Sequence, residues 1–118
     1  MRQREYMDYI SEKFNKYIVT RQEILRSYGY NDNRACELIK TFKSELDLKN
    51  LKFTNVYHAN GIGNNNLYTI YVEEKDEDGF VIQKRIAEFY YCYGIFGGVF
   101  VSLKDLSTNN IIRVGHAH

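Results

Sequence analysis

Three clusters in the second half of this sequence carry residue types that could do chemistry. Residues 61–66, Gly-Ile-Gly followed by three Asn, have the glycines of a phosphate-binding loop but not its Gly-Lys-Ser/Thr ending. Residues 73–78 hold five acidic side chains without the spacing of a calcium loop. His116 and His118 could hold a metal ion, although a terminal His-Ala-His is usually a frayed tail. Because no Ser/His/Asp or Cys/His arrangement accompanies them, we predict a protein that is not an enzyme and holds neither cofactor nor metal.

Aromatic residues are the other unusual feature of this half. Tyr and Phe crowd residues 89–100, and neighbours on a strand point to opposite faces, so a small sheet cannot bury all of them. Packing against the first half of the chain is one interpretation, and an exposed tyrosine surface that contacts a protein is the other. The acidic turn is likewise either a solvated loop or a contact for a basic partner. The candidate protein-binding residues are Glu74, Asp76, Glu77, Asp78, Tyr90, Tyr91 and Tyr93.

The composition is that of a globular protein. Of 118 residues, 44% are hydrophobic and 26% are charged, which is too apolar for a disordered chain. No apolar run could span a bilayer and the first residues lack a secretory signal, so we expect a cytoplasmic protein in which Cys36 and Cys92 form no disulfide. Residues 1–50 hold ten basic and eight acidic side chains, and residues 51–118 hold six and seven. This weak asymmetry permits nucleic-acid binding without demonstrating it.

The hydrophobic pattern predicts three helices in the first fifty residues. A first helix over residues 3–16 has apolar residues at intervals of three and four: Met7, Ile10, Phe14 and Tyr17. Thr20 and Glu23 have the spacing of a capping box, which predicts that a second helix begins there and ends at Gly29. The third helix runs to about Leu48, and its apolar face consists of Ala35, Leu38, Ile39, Phe42 and Leu46. A short helix, a turn with glycine and a longer helix form the layout of a helix-turn-helix.

Residues 19–40 also resemble short DNA-binding proteins of phages and integrative elements in low-GC Gram-positive bacteria. The shared features are Thr-Arg-x-Glu-Ile-Leu at residues 20–25, Tyr-Gly-Tyr at residues 28–30 and Ala-x-x-Leu-Ile-Lys at residues 35–40. The resemblance implies that the third helix enters the major groove of DNA. The implied DNA-binding residues are Arg21, Arg26, Asn33, Arg34, Lys40, Thr41, Lys43 and Ser44. Glu37 would repel phosphate in the middle of this face, so a merely solvated helix surface is the alternative.

From Leu51 onward the pattern becomes that of strands. The predicted strands are residues 51–58, 67–73, 80–86, 99–103 and 111–114, with an Asp-Gly turn at residues 78–79. Residues 83–93 fit either a helix or a strand, and we favour a strand because a glycine-rich turn leads from them into the next one. The chain is therefore predicted to be α+β. A three-helix helix-turn-helix unit, residues 1–50, precedes a β module, residues 51–118, which packs on it as an antiparallel sheet of four or five strands.

Two functions from different classes fit this organisation. The first is a small DNA-binding regulator of a phage or mobile element, which acts on DNA through the helix-turn-helix and could dimerise through its sheet. The second follows from phage-borne anti-CRISPR proteins, which this layout resembles because some of them join a helix-turn-helix to an unrelated inhibitory domain. The β module would then bind a host nucleic-acid-binding protein, such as a Cas nuclease, and block its recognition of DNA.

Overall fold

A computed structural model describes residues 2–28, 32–61, 63–93 and 99–116 of the chain. The chain divides into two units, Met1–Asn50 and Leu51–His118. The first unit contains two helices, α1 over Gln3–Tyr28 and α2 over Asp32–Asp47. Neither of these described helices has the length and apolar character needed to cross a bilayer.

The helical unit is an antiparallel pair. Successive contacts run in opposite directions along the two segments: Tyr9 with Lys49 just after α2, Lys13 with Glu45, and Tyr17 with Phe42. The rings of Phe14, Tyr17 and Phe42 pack together, with centroids between 5.8 and 6.4 Å apart. The buried apolar residues of this unit are Met7, Ile10, Phe14, Tyr17, Ile18, Phe42 and Leu46. These positions recur every three or four residues, so each helix buries one stripe against the other.

The prediction of a three-helix helix-turn-helix unit is wrong. Its expected first and second helices are one continuous helix of 26 residues, α1. Tyr17 and Ile18 are buried and continue the apolar stripe across the expected break, so packing overrides the weak helix propensity of the β-branched residues there. Thr20 does not begin a helix, because its hydroxyl donates to the Lys16 carbonyl 3.0 Å away, as threonine does inside helices. The predicted turn residue Gly29 lies outside the described residues.

The second unit is a five-stranded antiparallel sheet, as the α+β prediction expected. The strands are β1 (Lys52–Gly61), β2 (Gly63–Lys75), β3 (Val81–Tyr93), β4 (Val99–Asp105) and β5 (Ile111–His116), and their spatial order is their order in the chain. Residues 83–93 form a strand, which confirms the choice made for that ambiguous segment. The register shifts at Val56 in β1 and at Ile86 in β3, so each of these strands carries a bulge.

The two faces of the sheet differ in character. The buried apolar side chains of one face, here called the apolar face, are Phe53, Ile70, Ala87, Phe89, Tyr91, Val101 and Leu103, and the polar Asn66 and Asp105 are buried beside them. Phe53 stacks on Tyr68 with a centroid separation of 4.4 Å and meets the edge of Phe89 at 5.7 Å. The alternate positions form the opposite surface, here called the polar face, which includes Thr54, Leu67, Tyr71, Tyr90, Cys92, Phe100, Ser102, Lys104 and Arg113.

Candidate functional site

The residues predicted to bind DNA lie in different environments on the two helices. Arg26, Asn33, Lys40, Thr41, Lys43 and Ser44 are exposed, Arg34 is half-buried, and Arg21 is buried with 4% of its surface accessible. The hydroxyls of Thr41 and Ser44 donate to carbonyls of their own helix, those of Glu37 and Lys40, at 3.0 Å. Arg21 therefore does not lie on an open surface, and the two hydroxyls are already engaged. The remaining exposed side chains sit on an antiparallel helix pair, not on a helix-turn-helix.

Metal-binding side chains do not cluster in the part of the chain that the structure describes. No group of three or more His, Cys, Asp or Glu side chains there could hold a metal ion. Cys36 and Cys92 are both free thiols, and Cys36 is exposed. The side chains of His116 and His118 lie outside the described residues.

Two of the tyrosines predicted to form one surface, Tyr90 and Tyr91, point to opposite faces of the sheet. Tyr91 lies on the apolar face with 4% of its surface accessible, whereas Tyr90 is half-buried on the polar face. The Tyr90 hydroxyl donates to Oδ1 of Asn65 at 2.7 Å. The side chain of Tyr93 lies outside the described residues. Tyr90 and Tyr91 therefore do not belong to one contact surface.

The acidic turn, in contrast, stands at the end of a projecting ribbon. β1 pairs with β2 only as far as Tyr71, and β4 pairs with β3 only as far as Ala87. Beyond these residues β2 and β3 continue to pair with each other alone, from Val72 opposite Lys84 to Lys75 opposite Val81. Residues 72–84, here called the arm, thus leave the five-stranded body as a two-stranded hairpin with no third strand on either side in the described structure.

The tip of the arm is held by local hydrogen bonds. Oδ1 of Asp76 accepts from the backbone N–H groups of Asp78 and Phe80, at 3.0 and 2.8 Å. The Gly79 N–H donates to the Asp76 carbonyl at 3.0 Å, and Gly79 has a φ of 84°. A positive φ is the conformation that glycine adopts without strain, so the predicted Asp-Gly turn is confirmed. The carboxylate of Asp76 builds the turn, which leaves its acidic neighbours to face solvent.

The arm also exposes apolar side chains that the sequence reasoning did not select. Phe80, Val81 and Ile82 have 70%, 58% and 50% of their surfaces accessible. Consecutive strand residues point to opposite faces, so both faces of the arm carry an apolar group. The sequence signal was available, because three consecutive apolar residues after a turn break the alternation of a half-buried strand. The exposed acidic residues around them are Glu73, Glu74, Glu77 and Asp78.

Comparisons with protein-family models, with curated proteins and with solved structures find no match to this chain. The resemblance to small phage DNA-binding proteins therefore stays a prediction from sequence. The geometry of the described residues is the basis on which a function can be proposed.

Proposed function

We propose that this protein acts by binding another protein through the arm, without enzymatic activity, in the cytoplasm of a bacterial host. The observation that supports this is the pair of features on one projecting hairpin: three consecutive apolar side chains, each at least half exposed, and an acidic tip. Exposed apolar groups rimmed by charge are typical of interaction surfaces. The DNA-binding regulator suggested by the sequence depended on a helix-turn-helix, and the two-helix unit does not supply one.

The chemistry of the arm favours a partner with a basic, partly apolar groove. The side chains of Phe80 and Ile82 would fill apolar pockets, and the carboxylates of Glu74, Glu77 and Asp78 would meet Lys or Arg. Proteins that bind nucleic acid present such basic surfaces to phosphate. A bound arm would occupy the place of nucleic acid, so the protein would inhibit its partner. A Cas nuclease of the host holds its guide and target strands in a positively charged channel, so it is the first partner to test.

The test compares two double variants of the full chain. Phe80→Ser with Ile82→Ser removes apolar surface from the arm, and Val19→Ser with Leu48→Ser removes exposed apolar surface from the helical unit as a matched control. Each protein is titrated into DNA cleavage assays with Cas nucleases of low-GC bacteria, at two salt concentrations. We expect stoichiometric inhibition by the natural protein and by the control, loss of inhibition by the arm variant, and weaker inhibition at high salt.

Two results would contradict this proposal. Equal inhibition by the arm variant and the control would mean that the arm is not the contact surface. Light scattering that shows a dimer of the natural chain and a monomer of the arm variant would assign the arm to self-association, because open hairpin edges can also pair with a second copy.

A further inference from the structure

A pocket of about 240 Å³ opens on the polar face of the sheet, away from the paired residues of the arm. Three neighbouring strands line it. Tyr90 and Cys92 come from β3, Phe100 and Ser102 from β4, and Arg113 from β5. The register explains why these side chains meet, because Tyr90 lies opposite Ser102 and Ser102 lies opposite Arg113. Side chains directly opposite each other on adjacent strands stand only about 5 Å apart.

A glycine makes room for the aromatic wall of this pocket. The adjacent row of the sheet consists of Cys92, Phe100 and Gly115. The Phe100 ring lies so close to Gly115 that a Cβ at residue 115 would be 2.9 Å from Cδ1. Glycine inside a strand weakens the sheet and often marks a close approach of another group. Here that group is the Phe100 ring, which stands beside the row that carries Arg113.

The polar groups of the pocket suit an anion. No carboxylate is among the lining residues, and within the described structure Arg113 has no ion-pair partner and the Ser102 hydroxyl has no hydrogen bond. The hydrogen bond to Asn65 fixes the Tyr90 hydroxyl. Burial, and then a hydrogen bond with Cys92, raise the pKa of Tyr90, so its phenol is neutral at physiological pH. The pocket thus combines one positive charge, one available hydroxyl and one exposed ring.

We propose that this pocket binds a nucleotide, with its base against the Phe100 ring and its phosphate at the Arg113 guanidinium. Arginine matches phosphate with two parallel hydrogen bonds, and bases of any sequence stack on aromatic side chains. The volume of about 240 Å³ is just below the roughly 300–1,000 Å³ of pockets for drug-sized ligands, and this size suits a single base. A free nucleoside monophosphate and the 5′-phosphorylated end of a single strand present the same chemistry.

Titration of the full chain followed by amide NMR tests the site. The probes are the four ribonucleoside monophosphates, a 5′-phosphorylated DNA trimer, the same trimer without the phosphate, and inorganic phosphate. We expect saturable shifts of the Tyr90, Ser102 and Arg113 amides with the phosphorylated probes. Equal affinity for monophosphates and trimer would assign a free nucleotide as the ligand, and at least tenfold tighter binding of the phosphorylated trimer would assign a strand end.

Single-residue variants separate the site from general charge effects. Arg113→Gln should weaken binding at least tenfold, whereas Lys84→Gln, which removes one positive charge from the arm, should leave it unchanged. Phe100→Leu should weaken nucleotide binding and leave the weak binding of inorganic phosphate unaltered. The NMR spectrum of each variant shows whether it is folded.

The proposal is overturned if no phosphorylated probe shifts the pocket amides, if Arg113→Gln and Lys84→Gln behave alike, or if inorganic phosphate binds as tightly as a nucleotide. The test uses no protein partner, so its result is independent of the function proposed for the arm.

Discussion

The edge of the Phe100 ring lies against Gly115 on the neighbouring strand, where a methyl group would lie 2.9 Å from the Cδ1 atom of the ring. Phe100 is 41% exposed, so the ring is free to turn outward if it is pushed. An alanine at residue 115 would therefore push the ring aside. A residue without a side chain on β5 is what gives the pocket on the polar face its aromatic wall.

Gly115→Ala should displace the Phe100 ring and change the free energy of unfolding by less than about 1 kcal/mol, as expected for an exposed position. In the natural protein the edge of the Phe100 ring faces Gly115, so its ring current should shift an Hα resonance of Gly115 downfield, and Phe100→Leu should abolish that shift. In the alanine variant the ring protons of Phe100 should change their chemical shifts and nucleotide binding should be weaker. Unchanged chemical shifts of the Phe100 ring protons in the alanine variant would contradict a displacement of the ring and would mean that strand β5 gives way.

Thr20 provides a direct test of the continuous helix. Loss of an N-cap threonine costs about 1 kcal/mol, whereas an alanine inside a helix has a better helix propensity than threonine. Because the Thr20 hydroxyl bonds the Lys16 carbonyl within α1, we expect Thr20→Ala to leave the free energy of unfolding unchanged or to raise it. Urea denaturation measures the difference. Thr41→Ala is the matched control, since Thr41 makes the same bond to the Glu37 carbonyl in α2.

If Thr20→Ala lowers the free energy of unfolding by about 1 kcal/mol or more and Thr41→Ala does not, the result would support a helix that begins at Thr20 and would contradict the continuous helix.

The helix boundary shows which information the sequence alone does not carry. Thr20 and Glu23 have the spacing of a capping box, which is a local signal for the start of a helix. The buried residues Tyr17 and Ile18 continue the apolar stripe up to this point, so packing keeps the helix continuous despite the signal. The apolar faces of both helices were predictable from their spacing. The sheet was predictable because the period changes from three and four to two at Leu51, and β-forming residues then recur between turns.

The arm and the pocket on the polar face could not be predicted from the sequence, because both depend on which residues of different strands lie opposite each other. The arm exists because β1 stops pairing with β2 at Tyr71 and β4 stops pairing with β3 at Ala87. How far one strand extends beyond its neighbours depends on the pairing register, which the hydrophobic pattern of a single strand does not reveal. The pocket depends on Ser102 lying between Tyr90 and Arg113, which are far apart in the chain. Periodicity assigns a residue to a face of its own strand, but it does not identify the residues opposite it.

Glu45 gives the helical unit a dependence on pH. The Lys16 ammonium donates to Glu45 Oε1 at 3.0 Å and Lys13 lies 3.5 Å from Oε2. The hydrogen bond from Lys16, with the charges of both lysines, holds the pKa of the Glu45 carboxyl below its usual value of 4.5. A lowered pKa in the folded state means that this carboxylate stabilises the fold above pH 4.5 and that the contribution is lost as the pH falls through the folded-state pKa.

Glu45→Gln should therefore be less stable than the natural protein near neutral pH, and the difference should disappear in acid. Urea midpoints measured from about pH 7 to about pH 3 test this dependence. Glu12→Gln is the control, because Glu12 is exposed and lies 3.7 Å from Lys13 without a second lysine. A difference for Glu45→Gln that persists at the acid end would assign the effect to packing of the side chain and not to its charge.

Removal of the arm separates its role in binding from its role in the fold. Replacement of residues 74–82 by Asn-Gly joins Glu73 to Gln83, which face each other across the hairpin, through a two-residue turn suited to that connection. The deleted residues pair only with one another, so the sheet should remain folded and its free energy of unfolding should change by no more than about 1–2 kcal/mol. Inhibition of the protein partner should be lost, and nucleotide binding at Arg113 should be retained.

Phe89→Ala sets the scale for this comparison, because Phe89 is fully buried at the centre of the sheet and its truncation should cost about 3–5 kcal/mol. Denaturation and amide NMR of the two variants measure stability and structure together. If the shortened protein loses as much stability as Phe89→Ala, the arm belongs to the folding unit, and its exposed apolar residues require a structural explanation. If it stays folded and still inhibits the partner, the contact lies elsewhere on the chain, and the carboxylates of the arm are simply solvated.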